Sequence, residues 1–316
     1  MTRVVVSGAT GFLGAHLCTQ LKAQGCDVLA LGRDLAKGAA LGVPFEAIDL
    51  GELSALRSWQ SADAFVHAAA LSSAWAPREA FERANVAGTR NALTIARNLG
   101  VQRFVFISSP SIYFRFCDQV GVREGASLPV PVNDYAATKV IAEDLVRGSG
   151  LNTIILRPRG IYGPGDTALL PRLIRAAAKP VPLLRKGKAV TDLTYVDDVI
   201  DAVFCALTAA DNLGGHTYNI SGGEALMIRD VITQSAAAAG ITARFQGLPV
   251  AIAMAAARMA EMIARRRRDK PEPMITAYGM GVLAYSQTLD ISAARAELGF
   301  TPRVDFSEGL RRTFAS

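Results

Sequence analysis

The chain has 316 residues, half of them apolar and a fifth charged, with 34 basic against 28 acidic side chains and a formal charge of +6. That length buries a large core and allows about two domains, and the composition excludes a disordered or fibrous protein. The basic excess is concentrated in Arg265–Arg268 and Lys270; without a distributed basic stripe interleaved with aromatics, nucleic acid is not expected as a partner. Cys18, Cys26, Cys117 and Cys205 make no C-x-x-C pair and no cluster with histidine at metal-ligand spacing, so no metal is expected. A reducing, cytoplasmic setting fits these cysteines, and the first residues read as strand rather than as a secretory leader.

The first predicted strand, Val4–Ser7, ends in a turn with Gly8, Gly11 and Gly14 at G-x-x-G-x-x-G spacing. A helix follows over Phe12–Gln24, apolar at Phe12, Leu13, Leu17 and Leu21. A glycine turn between a buried strand and a helix N-terminus lets backbone N–H groups approach a pyrophosphate. The same triplet elsewhere is often only a tight turn; here both flanks have the required context.

Further strands are expected at Asp27–Leu31, Phe45–Ile48, Ala64–His67, Arg103–Ser108 and Asn152–Leu156. Helices are expected between them at Leu53–Trp59, Arg78–Leu99 and Tyr135–Arg147. This alternation predicts an α/β, doubly wound parallel sheet with right-handed crossovers. Residues 1–156 read as the dinucleotide-binding domain. Residues 157–316 read mainly as a smaller substrate-binding lobe, with segments returning to the sheet. In that half, helices are expected at Leu169–Ala178, Asp197–Ala209 and Ile228–Ala239.

Leu248–Ala264 is apolar except for Arg258 and Glu261, and the arginine run follows it. It is too short and too polar for a membrane span. Two readings stay open. One is a core or lid helix whose arginines suit its C-terminus; the other is peripheral membrane contact through 248–270, with an apolar face and a basic anchor.

Two signals carry chemistry. Tyr135 and Lys139 stand at i and i+4 on one predicted helix, where an ammonium lowers the pKa of a neighbouring phenol and suits it to proton transfer with a carbonyl or alcohol oxygen. Alone, such a pair is an ordinary helical feature; its place after the fifth strand gives it weight. Ser108 and Ser109 end that strand at the edge where doubly wound sheets bind ligands, so a hydroxyl there can hold a substrate oxygen.

These residues, with Val66–Ala70, Asn85–Thr89, Phe106–Ser109, Arg157-Pro158, Ile161–Gly165 and Tyr195–Val199, resemble the extended short-chain dehydrogenase/reductase family over nearly the whole chain. The resemblance implies that Ser109, Tyr135 and Lys139 are catalytic, Lys139 also bonding the nicotinamide ribose. It implies that Gly8, Thr10, Gly11, Phe12, Leu13, Gly14, Ala68, Ala69 and Pro158 line the cofactor, and that Asp49 and Leu50 border its adenine.

An acid at the end of the second strand selects NAD and an arginine accommodates the 2′-phosphate of NADP. Gly32 stands where NAD-binding members carry the acid, and Arg33 follows, so NADP is expected, with NAD kept open by Asp34, which either caps the next helix or contacts the ribose. Nucleotide-sugar enzymes of this branch usually carry Asn where this chain has Gly160 and Arg where it has Thr191. The pattern Thr191–Val196 is closer to the 3β-hydroxysteroid dehydrogenase-like subfamily. The expected activity is therefore interconversion of a ketone and a secondary alcohol on a small apolar substrate, with Arg159 a candidate for a substrate carboxylate. The rivals are a nucleotide-sugar epimerase or dehydratase with bound NAD, and a cofactor-sensing protein without turnover. The resemblance also implies a homodimer through the helices Arg78–Leu99 and Tyr135–Arg147.

Overall fold

In a computed structural model, which describes residues 2–52, 56–267 and 271–315, seven parallel strands form the central sheet. They are β1 (Arg3–Ser7), β2 (Asp27–Gly32), β3 (Phe45–Ala47), β4 (Ala64–His67), β5 (Arg103–Ile107), β6 (Thr153–Pro158) and β7 (Thr217–Ile220). Their spatial order is β3-β2-β1-β4-β5-β6-β7, so the direction of winding reverses between β1 and β4. In such sheets the ligand crevice opens at that switch, beyond the carboxyl ends of the strands.

The middles of the inner strands, such as Val4–Val6 and Phe104–Ile107, are continuous apolar runs because both faces of the sheet are covered. Val4 and Val6 point to one face, where they share a core with Leu17, Cys18 and Leu21 of α1 (Phe12–Ala23). Val5 points to the other, with Phe65, Phe104 and Phe106 of β4 and β5. That second core is closed by α2 (78–98), which contributes Ala92, Leu93 and Ala96, and by α3 (Asp134–Arg147), which contributes Ala142 and Val146. On the first face, α4 (Val196–Thr208) packs Val196, Ile200 and Val203 beside α1.

The expected helix over Arg78–Leu99 is one continuous element, but Glu82–Ala87 form a π turn between two α segments. That wider turn holds Asn85, whose amide oxygen accepts from Leu71 N–H (2.8 Å) and whose amide nitrogen donates to Thr138 Oγ1 (3.0 Å), so α2 is tied to α3 at the crevice. Of the helix expected at Leu53–Trp59, residues 53–55 lie outside the described residues, and 56–59 are not helical. The Glu46 carboxylate accepts from the N–H groups of Arg57 (2.9 Å) and Ser58 (3.0 Å), which replaces the bonds a helix would supply. The three later helices lie where expected, as Leu170–Ala177, α4 and Ile228–Ala238.

β7 was not foreseen as a strand. It pairs with β6, Thr217 opposite Ile155 and Ile220 opposite Pro158, and extends the sheet at that edge. A small four-stranded sheet joins Gln119–Val122, Val190–Thr191, Leu226–Met227 and Gln287–Leu289. The greasy segment forms α5 (Val250–Arg266) and leads to α6 (Ala277–Ala284). Among the described residues no helix is long and apolar enough to cross a membrane.

Candidate active site

The glycine turn sits at the switch. Gly8 has φ +73°, and a Cβ there would lie 2.6 Å from Ala69 N at the end of β4, so only glycine admits both the turn and the approach. A Cβ on Gly14 would meet Gly8 O at 2.1 Å, which is how closely α1 is packed against the turn. Gly11 occupies the N-cap of α1 and no side chain caps it. The first N–H groups of that helix, at Phe12 and Leu13, therefore point out of a helix end that suits an anion. Thr10, Ala68 and Ala69 border the same crevice: Ala68 N donates to Ser7 O (3.2 Å), and a Cβ on Gly32 would lie 3.0 Å from Thr10. Below them His67 is fully buried, bonded to Ser7 Oγ (2.7 Å) and Thr89 Oγ1 (3.1 Å). Burial and then the charge of Lys139 push its pKa down to about 3, so it is a neutral brace.

At the end of β2, Gly32 is buried against Thr10 and Phe45 and leaves little room for a carboxylate side chain. Arg33 is exposed. Asp34 is engaged: its carboxylate accepts from Lys37 N–H (3.0 Å) and caps the helix Leu35–Ala39. Asp49 is also engaged, accepting from Gly51 N–H (2.9 Å) and pairing with Arg83 (2.8 Å). Leu50 is buried, with its carbonyl held by Asn91 (2.9 Å). Pro158 is the last residue of β6.

The structure brings Ser109 and Tyr135 together. Helix α3 begins where the Asn133 side chain accepts from Ala136 N–H (2.8 Å), which sets Tyr135 in its first turn. Burial raises the pKa of the Tyr135 phenol; hydrogen bonds from Ser72 and Ser109 act in the opposite direction by favouring the phenolate. Ser72 was not foreseen, since nothing local marks a serine in the loop after β4. Ser109 Oγ also accepts from Ser111 N–H (3.2 Å). Ser108 turns away: its hydroxyl donates to Glu143 in the interior (2.5 Å), so Ser109 is the serine that faces the crevice.

Lys139 differs from the simple expectation of an ammonium next to the phenol. It is 2% exposed, its Nζ donates to Ile107 O (2.7 Å) and it lies 4.2 Å from the centroid of the Phe106 ring. Burial, opposed by Glu143, brings its pKa down to about 7. Near neutral pH it is therefore both a cation and a base. Glu143 in turn is fully buried and holds Arg157, with contacts of 2.5 and 2.8 Å. Arg157 also bonds the Tyr113 hydroxyl.

Beside Tyr135 lies a cavity of about 180 Å³ whose lining includes Trp75, Phe81, Val132, Tyr278, Glu261 and Arg265. The Phe81 ring is 6.3 Å from that of Tyr135, and burial, opposed by the charge of Arg159, raises the pKa of the Tyr278 phenol. Arg159 is 7% exposed and already engaged by Thr191 (3.2 Å), Gln287 and Asp192 (3.8 Å). It is braced in place. Beside Gly160, the Leu193 side chain fills the space, lying 2.5 Å from where a Cβ would be.

The chain is similar to several known proteins. The chain is 34% identical over 331 residues to the 2-alkyl-3-oxoalkanoate reductase of Stenotrophomonas maltophilia, covering 99% of each. It is 29% identical to the decarboxylating sterol-4-alpha-carboxylate 3-dehydrogenase of Candida albicans, covering 98% of this chain and 96% of that one. Among solved structures it is similar to DesIV, a dTDP-glucose 4,6-dehydratase from Streptomyces venezuelae with NAD and TYD bound, at TM-score 0.76 and 26% identity over 99% and 96% of the two chains. Residues 4–221 match the model of the NAD dependent epimerase/dehydratase family, and with its glycine turn at the switch point and Ser109 meeting Tyr135 across the crevice, the chain belongs to that family.

Proposed function

We propose that the protein is an NADP(H)-dependent oxidoreductase that interconverts a ketone and a secondary alcohol on an apolar substrate. The observation that carries this reading is Ser109 set close enough to the Tyr135 phenol to favour its phenolate, with a cavity alongside in which the Trp75, Phe81 and Tyr278 rings meet the charged side chains of Glu79, Asp134, Glu261 and Arg265. The cradle fits a dinucleotide, since Gly8 and Gly14 leave no room for a Cβ and the end of α1 has no side-chain cap. Gly8, Thr10, Gly11, Phe12, Leu13 and Gly14 would hold the pyrophosphate, Asp49 and Leu50 the adenine, and Ala68, Ala69 and Pro158 the remaining walls. Arg33 would take the 2′-phosphate. Crowding at Gly32 and the capping role of Asp34 leave no carboxylate for the ribose at the end of β2.

A nicotinamide supplies the hydride when bound. The side chains do the rest. In the reducing direction Tyr135 gives its proton to the carbonyl oxygen while Ser109 holds that oxygen, and the Lys139 ammonium sustains the phenolate left behind. The similarity to reductases and a 3-dehydrogenase of carboxylated apolar compounds supports an oxo acid or sterol-like substrate. Thr191 is occupied by Arg159 and the space at Gly160 by Leu193, which counts against nucleotide sugars. We place the boundary between cofactor and substrate halves after residue 156, with β7 returning to the sheet.

Tyr135→Phe tests the mechanism. It should lower kcat by about a hundredfold or more, with NADPH affinity little changed. Turnover near the parent value with cofactor still bound would exclude Tyr135 as the acid.

A further inference from the structure

Helix α5 has two apolar stripes. Ala253, Ala257 and Ala264 are buried, with Met254, in a small core shared with Leu184, Met280 and Ala284. One residue round the helix, Ile252, Ala256, Met259 and Ile263 repeat at the same spacing and face outward. Ile252 is 57% exposed, Met259 53% and Ile263 55%. A globular helix ordinarily buries a single stripe. Here the second is equally apolar and no other described element covers it.

Charge on the helix is one-sided. Arg258, Arg265 and Arg266 are exposed, and Arg267 and Arg268 continue the run. The only acid in α5, Glu261, is turned inward and accepts from Ala277 N–H (2.7 Å). The outer surface of α5 is thus hydrocarbon bordered by cations, with no carboxylate of its own. A second copy of the chain meeting it there would bring more arginines and no acid on the same element. A nucleic acid would leave Ile252, Met259 and Ile263 against phosphate.

We propose that α5 docks this protein on an anionic bilayer surface, its Ile252–Met259–Ile263 stripe in the boundary between headgroups and acyl chains and Arg258 and Arg266 on lipid phosphates. The same helix lines the cavity beside Tyr135: Glu261 and Arg265 are among its walls, and Arg265 stacks on Trp75 at 5.3 Å. Docking therefore sets the cavity beside the bilayer, where an apolar carbonyl compound partitions. This last step rests on the apolar-substrate reading above; the docking does not.

The test is co-sedimentation with vesicles of equimolar phosphatidylglycerol and phosphatidylcholine, against phosphatidylcholine alone. No substrate is present, so docking and catalysis fail separately. The parent should pellet with the anionic vesicles only, and added salt should release it. Arg258→Ala should weaken partitioning about fivefold and Ile263→Ser about tenfold, with the melting temperature and the turnover of a water-soluble ketone unchanged. Equal binding to both vesicles, or binding to neither, overturns the proposal. So does a dimer in solution that Ile252→Ser and Ile263→Ser dissociate, since the stripe would then belong to a second copy.

Discussion

Lys139 is the residue whose environment costs the fold most plainly. Its pKa near 7 lies well below the 10.5 of a free lysine, so folding disfavours the ammonium. Below about pH 7 both folded and unfolded chains carry the charge, and the full cost is present. Between pH 7 and 10.5 the folded protein has released a proton that the unfolded chain still binds, so stability rises with pH through that window. Lys139→Met lacks this slope. In urea unfolding, the stability of the variant relative to the parent should be most favourable around pH 6 and should fall by about pH 9. A difference that stays flat over that range would show that Lys139 is not held as a disfavoured cation. The i, i+4 spacing with Tyr135 was legible in the sequence. Its partners were not: Ile107 and the Phe106 ring are brought to Lys139 by the packing of α3 on β5.

Helix α3 carries the phenol, and a buried ion pair fixes where α3 stands. Glu143, one turn beyond Lys139, reaches Ser108 on the loop after β5 and Arg157 on β6, while Arg147 approaches it from the next turn at 2.6 Å. Replacing such a pair with apolar residues can be neutral, but removing one charge strands the other. Glu143→Gln leaves the Arg157 guanidinium, 2% exposed, without its counter-charge. It should cost about 3–5 kcal/mol in urea unfolding and lower kcat together with stability, because Tyr135 loses its fixed position. A cost under about 1 kcal/mol would mean the helix is held by its apolar face alone. Glu143 and Arg157 do not read as a pair in the sequence, since they stand fourteen residues apart on two different elements. Strand β7 escaped for a related reason: its four residues gain strand character only by pairing with β6, sixty-two positions earlier at Thr217 and Ile155. The strands that were foreseen, such as Val4–Ser7 and Ala64–His67, are continuous apolar runs between turn signals. Periodicity detects those locally.

Over the whole molecule, the crevice is shared by segments distant in the chain, so a dinucleotide bound there stabilises the native state as a unit. The turn at Gly8 abuts Ala69 after β4, and His16 on α1 bonds Pro164 O beyond β6 (2.8 Å). Thr194 Oγ1 donates to Arg159 O (2.6 Å), which ties the segment around Thr194 to the same edge of the sheet. A ligand that binds only this assembled state, supplied at a hundred times its Kd, adds about 2.7 kcal/mol of stability. Thermal unfolding with NADPH, NADH and UDP-glucose at one concentration therefore reads the cofactor and the substrate class together. NADPH should raise Tm most and NADH less, because Arg33 has a 2′-phosphate to hold only in the first. Arg33→Ala should bring the two shifts together without lowering Tm in the absence of cofactor, since Arg33 is exposed. UDP-glucose should add nothing to the NADPH-bound protein, given that Arg159 is bound to Thr191 and Gln287 and Leu193 fills the space at Gly160. Equal shifts from NADPH and NADH in the parent would remove Arg33 from the site. A large further shift with UDP-glucose would move the chain from apolar carbonyl compounds to nucleotide-sugar chemistry on the same serine, tyrosine and lysine.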